Sequence, residues 1–204
     1  MVKAGATISQ SEKTDDPEGI FCVEGEWERE LDDRTSVRQL VEFISDNNHK
    51  PQLRPIYRRV ATKESFGSLI KRWKEYPQYR VGYFAFHGDK GRVALGPETA
   101  TIKELGRMLG DCSGKHIVLS SCKTLAVPEN EIKAFRQATK ARPVSGYTKS
   151  PDWIESSALD AMLISSLLYY DKPAKTKKWL GEMCGGLVSS FGLVMNYRTR
   201  HNRA

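Results

Sequence analysis

A histidine and a cysteine in this chain each follow directly on a short apolar segment. Residues 81–86 precede His87, and residues 116–121 precede Cys122. Apolar segments of this length, rich in β-branched and aromatic residues, are typical of buried strands. A helical pattern over residues 101–109 separates them, which favours a parallel pair whose C-terminal ends meet at one edge of a sheet. We therefore expect the imidazole and the thiol to lie side by side at that edge, where open α/β sheets place their functional sites.

An adjacent imidazole and thiol predict nucleophilic catalysis. A thiol reacts as its thiolate, and a neighbouring imidazole can accept the thiol proton and later return a proton to a leaving amine. Gly88 would let the backbone approach closely, so that its N–H and the N–H of Cys122 could stabilise an oxyanion. The alternative is an inert buried thiol at Cys122 and an ordinary loop residue at His87, the commoner role of each residue type taken singly.

The residues around both positions resemble those of caspase-like cysteine peptidases, above all the bacterial CHAT branch. The resemblance is carried by the sequences FAFHG at 84–88 and VLSSCKT at 118–124, with a short hairpin and a helix between them. It extends over about residues 80–170. Ser121 stands where alanine is usual, and no glycine closely follows the cysteine as it does in caspases proper. These departures favour a CHAT-like relative over a true caspase.

The resemblance implies a three-layer α/β/α caspase-like fold with a mostly parallel central sheet. It implies a cysteine endopeptidase with Cys122 as nucleophile and His87 as general base, without a cofactor or a metal. CHAT-like peptidases often serve bacterial defence or regulated cell death and are switched on by a partner. Because the chain has no room for a separate sensor domain, we expect activation by a protein partner, by self-association or by cleavage, with ordering of a loop at 124–128 or at 147–152.

Three carboxylates are predicted to line the substrate pocket. Glu24 and Glu26 follow a predicted first strand at 19–23, and Asp152 follows a predicted strand at 143–147. A pocket of this charge would favour Lys or Arg before the cut, because a guanidinium binds a carboxylate in a fork. The alternatives are that the two glutamates belong to a solvated acidic loop and that Asp152 caps the long helix that follows it.

Composition and charge narrow the class of protein. The 204 residues, 28% charged and 39% hydrophobic, fit one domain at 19–204 behind a mobile polar tail at 1–18. Residues 1–35 carry a net charge of −6 and residues 36–204 a net charge of +13. In the absence of any nucleic-acid-binding motif, we interpret the basic body as a solvated surface, with nucleic acid reached only through a partner.

The chain shows no apolar segment of about 18 residues and no signal-peptide pattern, so we expect neither a membrane span nor export. Four cysteines, without a C-x-x-C pair, argue against a zinc cluster and fit reduced thiols in a cytoplasm. Besides Cys122, we expect Cys22 in the core and Cys112 and His116 in structural positions, whereas Cys184 has no visible base.

Two other functions remain open on the sequence alone. The first is a catalytically inactive signalling or scaffold module on the same fold, because a fold does not fix a function. The second is a nucleotide-binding or nucleotide-cleaving α/β domain. The lack of a glycine-rich phosphate loop argues against the second, since the pair Gly185 and Gly186 has no accompanying Lys-Ser or Lys-Thr.

Overall fold

The computed structural model describes residues 17–28, 32–48 and 52–198. Strands and helices alternate along these residues for most of the chain. The strands are β1 (Ile20–Glu24), β2 (Ile56–Arg59), β3 (Val81–Ala85), β4 (Gly88–Asp89), β5 (Arg92–Leu95), β6 (Glu98–Thr101), β7 (His116–Ser120), β8 (Pro143–Tyr147) and β9 (Leu193–Tyr197). The helices are α1 (Arg38–Asn47), α2 (Lys63–Lys74), α3 (Ile102–Leu109), α4 (Glu129–Thr139), α5 (Trp153–Tyr169) and α6 (Pro173–Phe191).

The central sheet has the strand order β2-β1-β3-β7-β8-β9. Its first five strands are parallel, and β9 pairs antiparallel with β8. Strands β1, β3 and β8 are buried along their whole length, which explains why they read as unbroken apolar segments in the sequence. The register aligns Glu24 with Ala85 and Ala85 with Ser120, so β1, β3 and β7 end at the same level. The loops after these three strands therefore meet at one edge.

Each face of the sheet is covered by three helices. On one face, Phe66 and Trp73 of α2, Leu105 of α3 and Phe135 of α4 pack against alternate residues of the strands. On the other, residues of α1, α5 and α6 pack against the remaining strand residues, among them Val41, Leu163 and Leu180. This arrangement is the predicted three-layer α/β/α fold with a mostly parallel sheet, which is confirmed.

A small antiparallel sheet of β4, β5 and β6 follows the end of β3. The sequence predicts a hairpin here, and the structure adds β4 as a third strand. Gly91 and Gly96 have φ of +71° and +62°, a region that favours glycine at tight turns. The sheet leads into α3 through a capping box formed by Thr101 and Glu104.

The helix α6 is the main element that the sequence pattern does not predict. The pattern indicates a loop or a helix start near 175–178 and a weak strand over 187–197, but residues Pro173–Phe191 form one long helix and the strand begins at Leu193. The glycine pair lowers helix propensity, and the backbone leaves helical geometry at Cys184. Packing of Leu180 and Phe191 against the core stabilises the helix despite these residues.

Two further boundaries differ from the prediction. The second strand, expected at 53–57, is Ile56–Arg59, because Pro55 has no N–H to donate to the ladder. Most of the predicted tail at 1–18 lies outside the described residues. Glu18, however, is 3% exposed, bridges to Gln52 and pairs with Arg80, so this residue packs against the sheet.

No helix within the described residues is both long enough and apolar enough to cross a membrane.

Candidate functional site

His87 and Cys122 line the same cleft, at the edge where β1, β3 and β7 end. The cleft has a volume of about 210 Å³. His87 lies two residues beyond Ala85 and Cys122 two residues beyond Ser120, and Ala85 and Ser120 are register partners. The imidazole is exposed and Cys122 is half-buried. Other lining residues are Trp27, Glu28, Phe86, Ser120, Ser121, Tyr147, Pro151 and Trp153.

The two catalytic candidates are held together by a close backbone approach at Gly88. A Cβ atom built on Gly88 would lie 2.5 Å from the carbonyl oxygen of Cys122 and 2.6 Å from Oγ1 of Thr124. Only glycine fits this contact without a shift of backbone. Lys123, directly after Cys122, has φ of +53°, an uncommon conformation for a residue with a side chain. The loop therefore turns sharply at the cysteine.

The N–H groups of Gly88 and Cys122 are both available at this turn. Ala94 N–H donates to the His87 carbonyl at 2.8 Å, so this pair is hydrogen-bonded and the next pair, Gly88 with Val93, is not. The Gly88 N–H consequently points away from β5. Among the described residues, no backbone acceptor contacts the Cys122 N–H. Freedom from backbone acceptors is one condition of the predicted oxyanion role, which stays a prediction.

The imidazole of His87 is oriented by Trp27. Nε2 of His87 is hydrogen-bonded to the backbone carbonyl of Trp27, and the two rings pack edge to face with centroids 5.2 Å apart. Because a carbonyl oxygen only accepts hydrogen bonds, Nε2 carries the proton, and in the neutral ring Nδ1 is then the free acceptor. The indole of Trp153 packs on Trp27 at 4.7 Å and closes the other side of the cleft.

The buried side chain of Glu24, at the end of β1, stabilises this position of Trp27 beside His87. This side chain is fully buried and accepts hydrogen bonds from the Trp27 indole and the Tyr57 hydroxyl. It also accepts from the Ser36 hydroxyl at 2.8 Å and from the Val37 N–H at 2.7 Å. Both oxygens are thus used inside the protein, and Glu24 does not reach the cleft. The structure gives it the role of an anchor for the loop that carries Trp27 and the start of α1.

The other two predicted pocket residues also lie outside the cleft wall beside Cys122. Glu26 is exposed and lines a neighbouring cleft on the far side of His87. Asp152 is exposed and caps α5, since its Oδ1 accepts from the Ile154 N–H at 2.9 Å. The capping alternative for Asp152 is confirmed. Glu28 is the carboxylate that the described residues contribute to the cleft lining.

A buried carboxylate that the sequence reasoning missed lies beneath the cleft floor. Asp160 of α5 is 1% exposed and accepts from Tyr83 at 2.7 Å, Ser120 at 2.5 Å and Tyr147 at 2.6 Å. Burial raises the pKa of Asp160, and the three hydroxyl donors lower it in part. The pKa values of Tyr83 and Tyr147 are raised, mainly by burial, so both phenols remain donors. A lone acid on the apolar face of α5, beside Leu159 and Leu163, is the sequence signal that could have identified it.

The remaining cysteines and His116 do not line the cleft. Burial raises the pKa of Cys112 to about 11 and, with two neighbouring arginines, lowers the pKa of His116 to about 3. Both residues are buried, His116 as the first residue of β7 and Cys112 in the loop that precedes it, at the opposite edge from Cys122. Cys22 is fully buried within β1. The described residues contain no cluster of three or more His, Cys, Asp or Glu side chains suited to a metal ion.

Comparison with known proteins gives a family but no activity. No curated protein matches the chain. Residues 17–181 match a family model described as "Family of unknown function (DUF6642)". This range includes β1, the Trp27 loop, His87, Cys122 and α5 with Asp160, so the whole cleft lies within the matched residues. The chain belongs to the DUF6642 family.

Proposed function

We propose that the protein is a cysteine endopeptidase that uses a dyad of Cys122 and His87. The observation that carries the proposal is their placement on adjacent parallel strand ends in one cleft, with Nε2 of His87 bound to the Trp27 carbonyl. That bond leaves Nδ1 as the base. The resemblance of residues 84–88 and 118–124 to CHAT-like peptidases supports the same chemistry.

In the first half of the reaction, Nδ1 of His87 accepts the proton of the Cys122 thiol. The sulfur attacks the carbonyl carbon of a peptide bond, and the electron pair of the C=O bond moves to the oxygen. The N–H groups of Cys122 and Gly88 stabilise this oxyanion. As the C=O bond reforms, the C–N bond breaks, and His87 gives its proton to the leaving amine.

In the second half, the acyl group remains on Cys122 as a thioester. His87 takes a proton from water, and the hydroxide oxygen attacks the thioester carbon through a second oxyanion in the same site. The carbon–sulfur bond breaks, the carboxylic acid leaves, and the proton on His87 returns to the thiolate. The cycle is closed without a metal or an oxidant.

The cellular setting of the proposal follows the CHAT resemblance. The substrate is a protein cleaved in the cytoplasm, in a bacterial defence or cell-death response, after activation by a partner or a second copy of the chain. The preference for a basic residue before the cut stays a prediction. Glu24, Glu26 and Asp152 do not provide this preference, since none of the three lines the cleft beside Cys122.

The test is the reactivity of Cys122 toward a small electrophile and toward peptides. In the parent protein we expect iodoacetamide to modify Cys122 first and fluorogenic peptides to be cleaved. His87→Ala should slow modification at Cys122, and both His87→Ala and Cys122→Ala should lower hydrolysis by several orders of magnitude. Cys184→Ala, which removes a half-buried thiol outside the cleft, is the matched control and should behave like the parent. Equal reactivity of Cys122 with and without His87 would favour the inactive scaffold instead.

A further inference from the structure

Asp160 is a buried acid without a cation to balance it. It is 1% exposed, and its three partners are the hydroxyls of Tyr83, Ser120 and Tyr147. Within the described residues, no Lys, Arg or His nitrogen lies at ion-pair distance from it. Removing a carboxylate from water is costly unless it is paired, and buried charges are ordinarily paired. Three uncharged hydroxyls donate to Asp160, so a cation bound nearby would be the first positive charge beside it and would favour its ionised form.

The hydroxyls connect this carboxylate to the cleft. Ser120 and Tyr147 line the cleft that contains Cys122, and Ser120 is partly exposed there. The Ser120 hydroxyl donates its proton to Asp160 at 2.5 Å, so its oxygen lone pairs remain free to accept from a ligand. The Tyr83 hydroxyl oxygen lies 3.2 Å from this oxygen, but its single proton is donated to Asp160 at 2.7 Å. The carboxylate therefore lies one hydroxyl group away from a bound molecule.

The cleft walls suit the rest of a long basic side chain. Trp27 and Trp153 stand at 87° to each other with centroids 4.7 Å apart, and Pro151 and Tyr147 complete an apolar wall. Apolar and aromatic surfaces accommodate the methylene stem of Lys or Arg, and indole faces attract cations. A neutral apolar side chain would fill the same walls but would leave Asp160 without a counter-ion.

We infer that Asp160 is the specificity-determining residue of the cleft and that it selects a substrate with Arg or Lys at the residue before the cut. The inference rests on the proposed peptidase function for its choice of substrate. A cation in the cleft would donate to Ser120 and lie close to the buried carboxylate, favouring its ionised form. The placement beneath β7 and β8, rather than in a loop, keeps this charge away from solvent screening.

The first experiment measures binding and needs no chemistry. The Cys122→Ala protein is titrated with N-acetyl-arginine amide and with N-acetyl-citrulline amide, which has almost the same shape but no charge. We expect the arginine compound to bind more tightly by roughly 30-fold or more, because an unpaired buried charge is strongly penalised. Equal affinity for the two compounds would overturn the inference whatever the fate of the peptidase proposal.

The second experiment compares two fluorogenic peptides that differ only at the residue before the cut, which is arginine in one and citrulline in the other. The parent should cleave the arginine peptide with the higher kcat/KM, and Asp160→Asn should bring the two peptides to within roughly threefold by slowing the arginine peptide alone. A preference for arginine that survives in Asp160→Asn would assign the selection to another group. If the parent shows no hydrolysis that depends on Cys122, the result would instead count against the peptidase proposal.

Two variants guard against a folding artefact. Asp111→Asn is the matched control, because it removes a largely exposed carboxylate at the opposite edge of the sheet and should keep the parent preference. If Asp160→Asn fails to fold, Ser120→Ala keeps the buried acid and removes only the hydroxyl between it and the cleft. This variant should reduce the arginine preference by about 10-fold in the binding titration, and an unchanged preference would contradict the inference.

Discussion

The backbone carbonyl of Trp27 holds Nε2 of His87, and the indole of the same residue rests edge to face against the imidazole at 5.2 Å. The indole N–H in turn donates to the buried carboxylate of Glu24 at the end of β1. A residue inside the sheet thus determines the orientation of a histidine on its edge. This connection gives Glu24 a role in positioning rather than in contact with substrate.

The first prediction concerns Glu24→Gln. The amide can accept from only some of the four donors around it and brings two N–H groups of its own against them. We expect the free energy of unfolding to fall by about 2–4 kcal/mol. We also expect kcat to fall roughly 10-fold or more with little change in KM, since Trp27 would no longer be held.

The matched control for this variant is Glu42→Gln on α1. Glu42 is an exposed residue that pairs with Arg38 at 2.8 Å, an interaction worth at most about 0.5 kcal/mol. Denaturant unfolding and steady-state kinetics at several substrate concentrations measure both effects. A Glu24→Gln protein that is destabilised but keeps the parent kcat would show that the carboxylate supports the fold without positioning the histidine.

The second prediction compares two glycine-to-alanine changes. Gly88→Ala places a methyl group against the Cys122 carbonyl oxygen, so the backbone of one loop has to move. We expect a loss of roughly 100-fold in kcat/KM, because a displacement of about 1 Å at a reacting group has that cost. Gly67→Ala in α2 meets no atom within 4 Å and should stabilise the protein by about 0.5–1 kcal/mol without affecting hydrolysis. If Gly88→Ala retains full activity, the close approach has no catalytic role.

The order of strands and helices could be predicted because buried strands carry a strong local signal. Residues 81–85 and 116–120 read as apolar segments since both of their faces are covered, and their C-terminal ends place His87 and Cys122. The helix α6 could not be predicted in the same way. Its stability depends on contacts with α5 that overrule a glycine pair, and tertiary contacts of this kind leave little trace in local propensity.

The meeting of His87 and Cys122 at one edge of the sheet could be predicted, but the residues that support them could not. The types and positions of His87 and Cys122 are visible in the sequence, whereas the roles of carboxylates depend on which way each side chain points. Glu24 ends β1 fully buried, and the residue type alone does not distinguish a buried acid at a strand end from a solvated one. Asp160 is separated from Tyr83 by 77 residues, so its hydrogen bonds cannot be inferred from spacing.

The third prediction concerns activation. The sequence predicts that a loop at 124–128 or at 147–152 becomes ordered on activation. In the structure, backbone hydrogen bonds join the two segments: the Lys123 N–H donates to the Lys149 carbonyl at 3.0 Å and the Leu125 N–H to the Tyr147 carbonyl at 2.9 Å. A change in one loop would therefore be transmitted to the other. We expect low activity per mole in dilute protein and an increase with concentration or with an added partner. Sedimentation and hydrolysis measured on the same dilution series decide this, and a fully active monomer would contradict it.

The last prediction follows from His116, which is buried at the start of β7 with neither ring nitrogen hydrogen-bonded. Its pKa is lowered to about 3 by burial first and then by Arg80 and Arg142, whereas an unfolded histidine has a pKa of about 6.5. Between these values the unfolded state binds a proton that the folded state does not. The free energy of unfolding therefore falls as the pH falls below about 6.5, and the contribution is fully present above it.

Between pH 7 and pH 5 this single group should cost about 2 kcal/mol of stability in the parent. His116→Leu lacks the titrating group and should therefore lose less stability between pH 7 and pH 5. Over this interval, the free energy of unfolding should fall by about 2 kcal/mol more in the parent than in His116→Leu. Ile117→Val on the same strand is the control, because it alters packing by about 1 kcal/mol without a proton and its difference from the parent should not change with pH. Denaturant unfolding at half-unit pH steps measures all three proteins. If the parent and His116→Leu lose stability in parallel between pH 7 and pH 5, His116 becomes protonated in the folded state, and its burial does not oppose the charge.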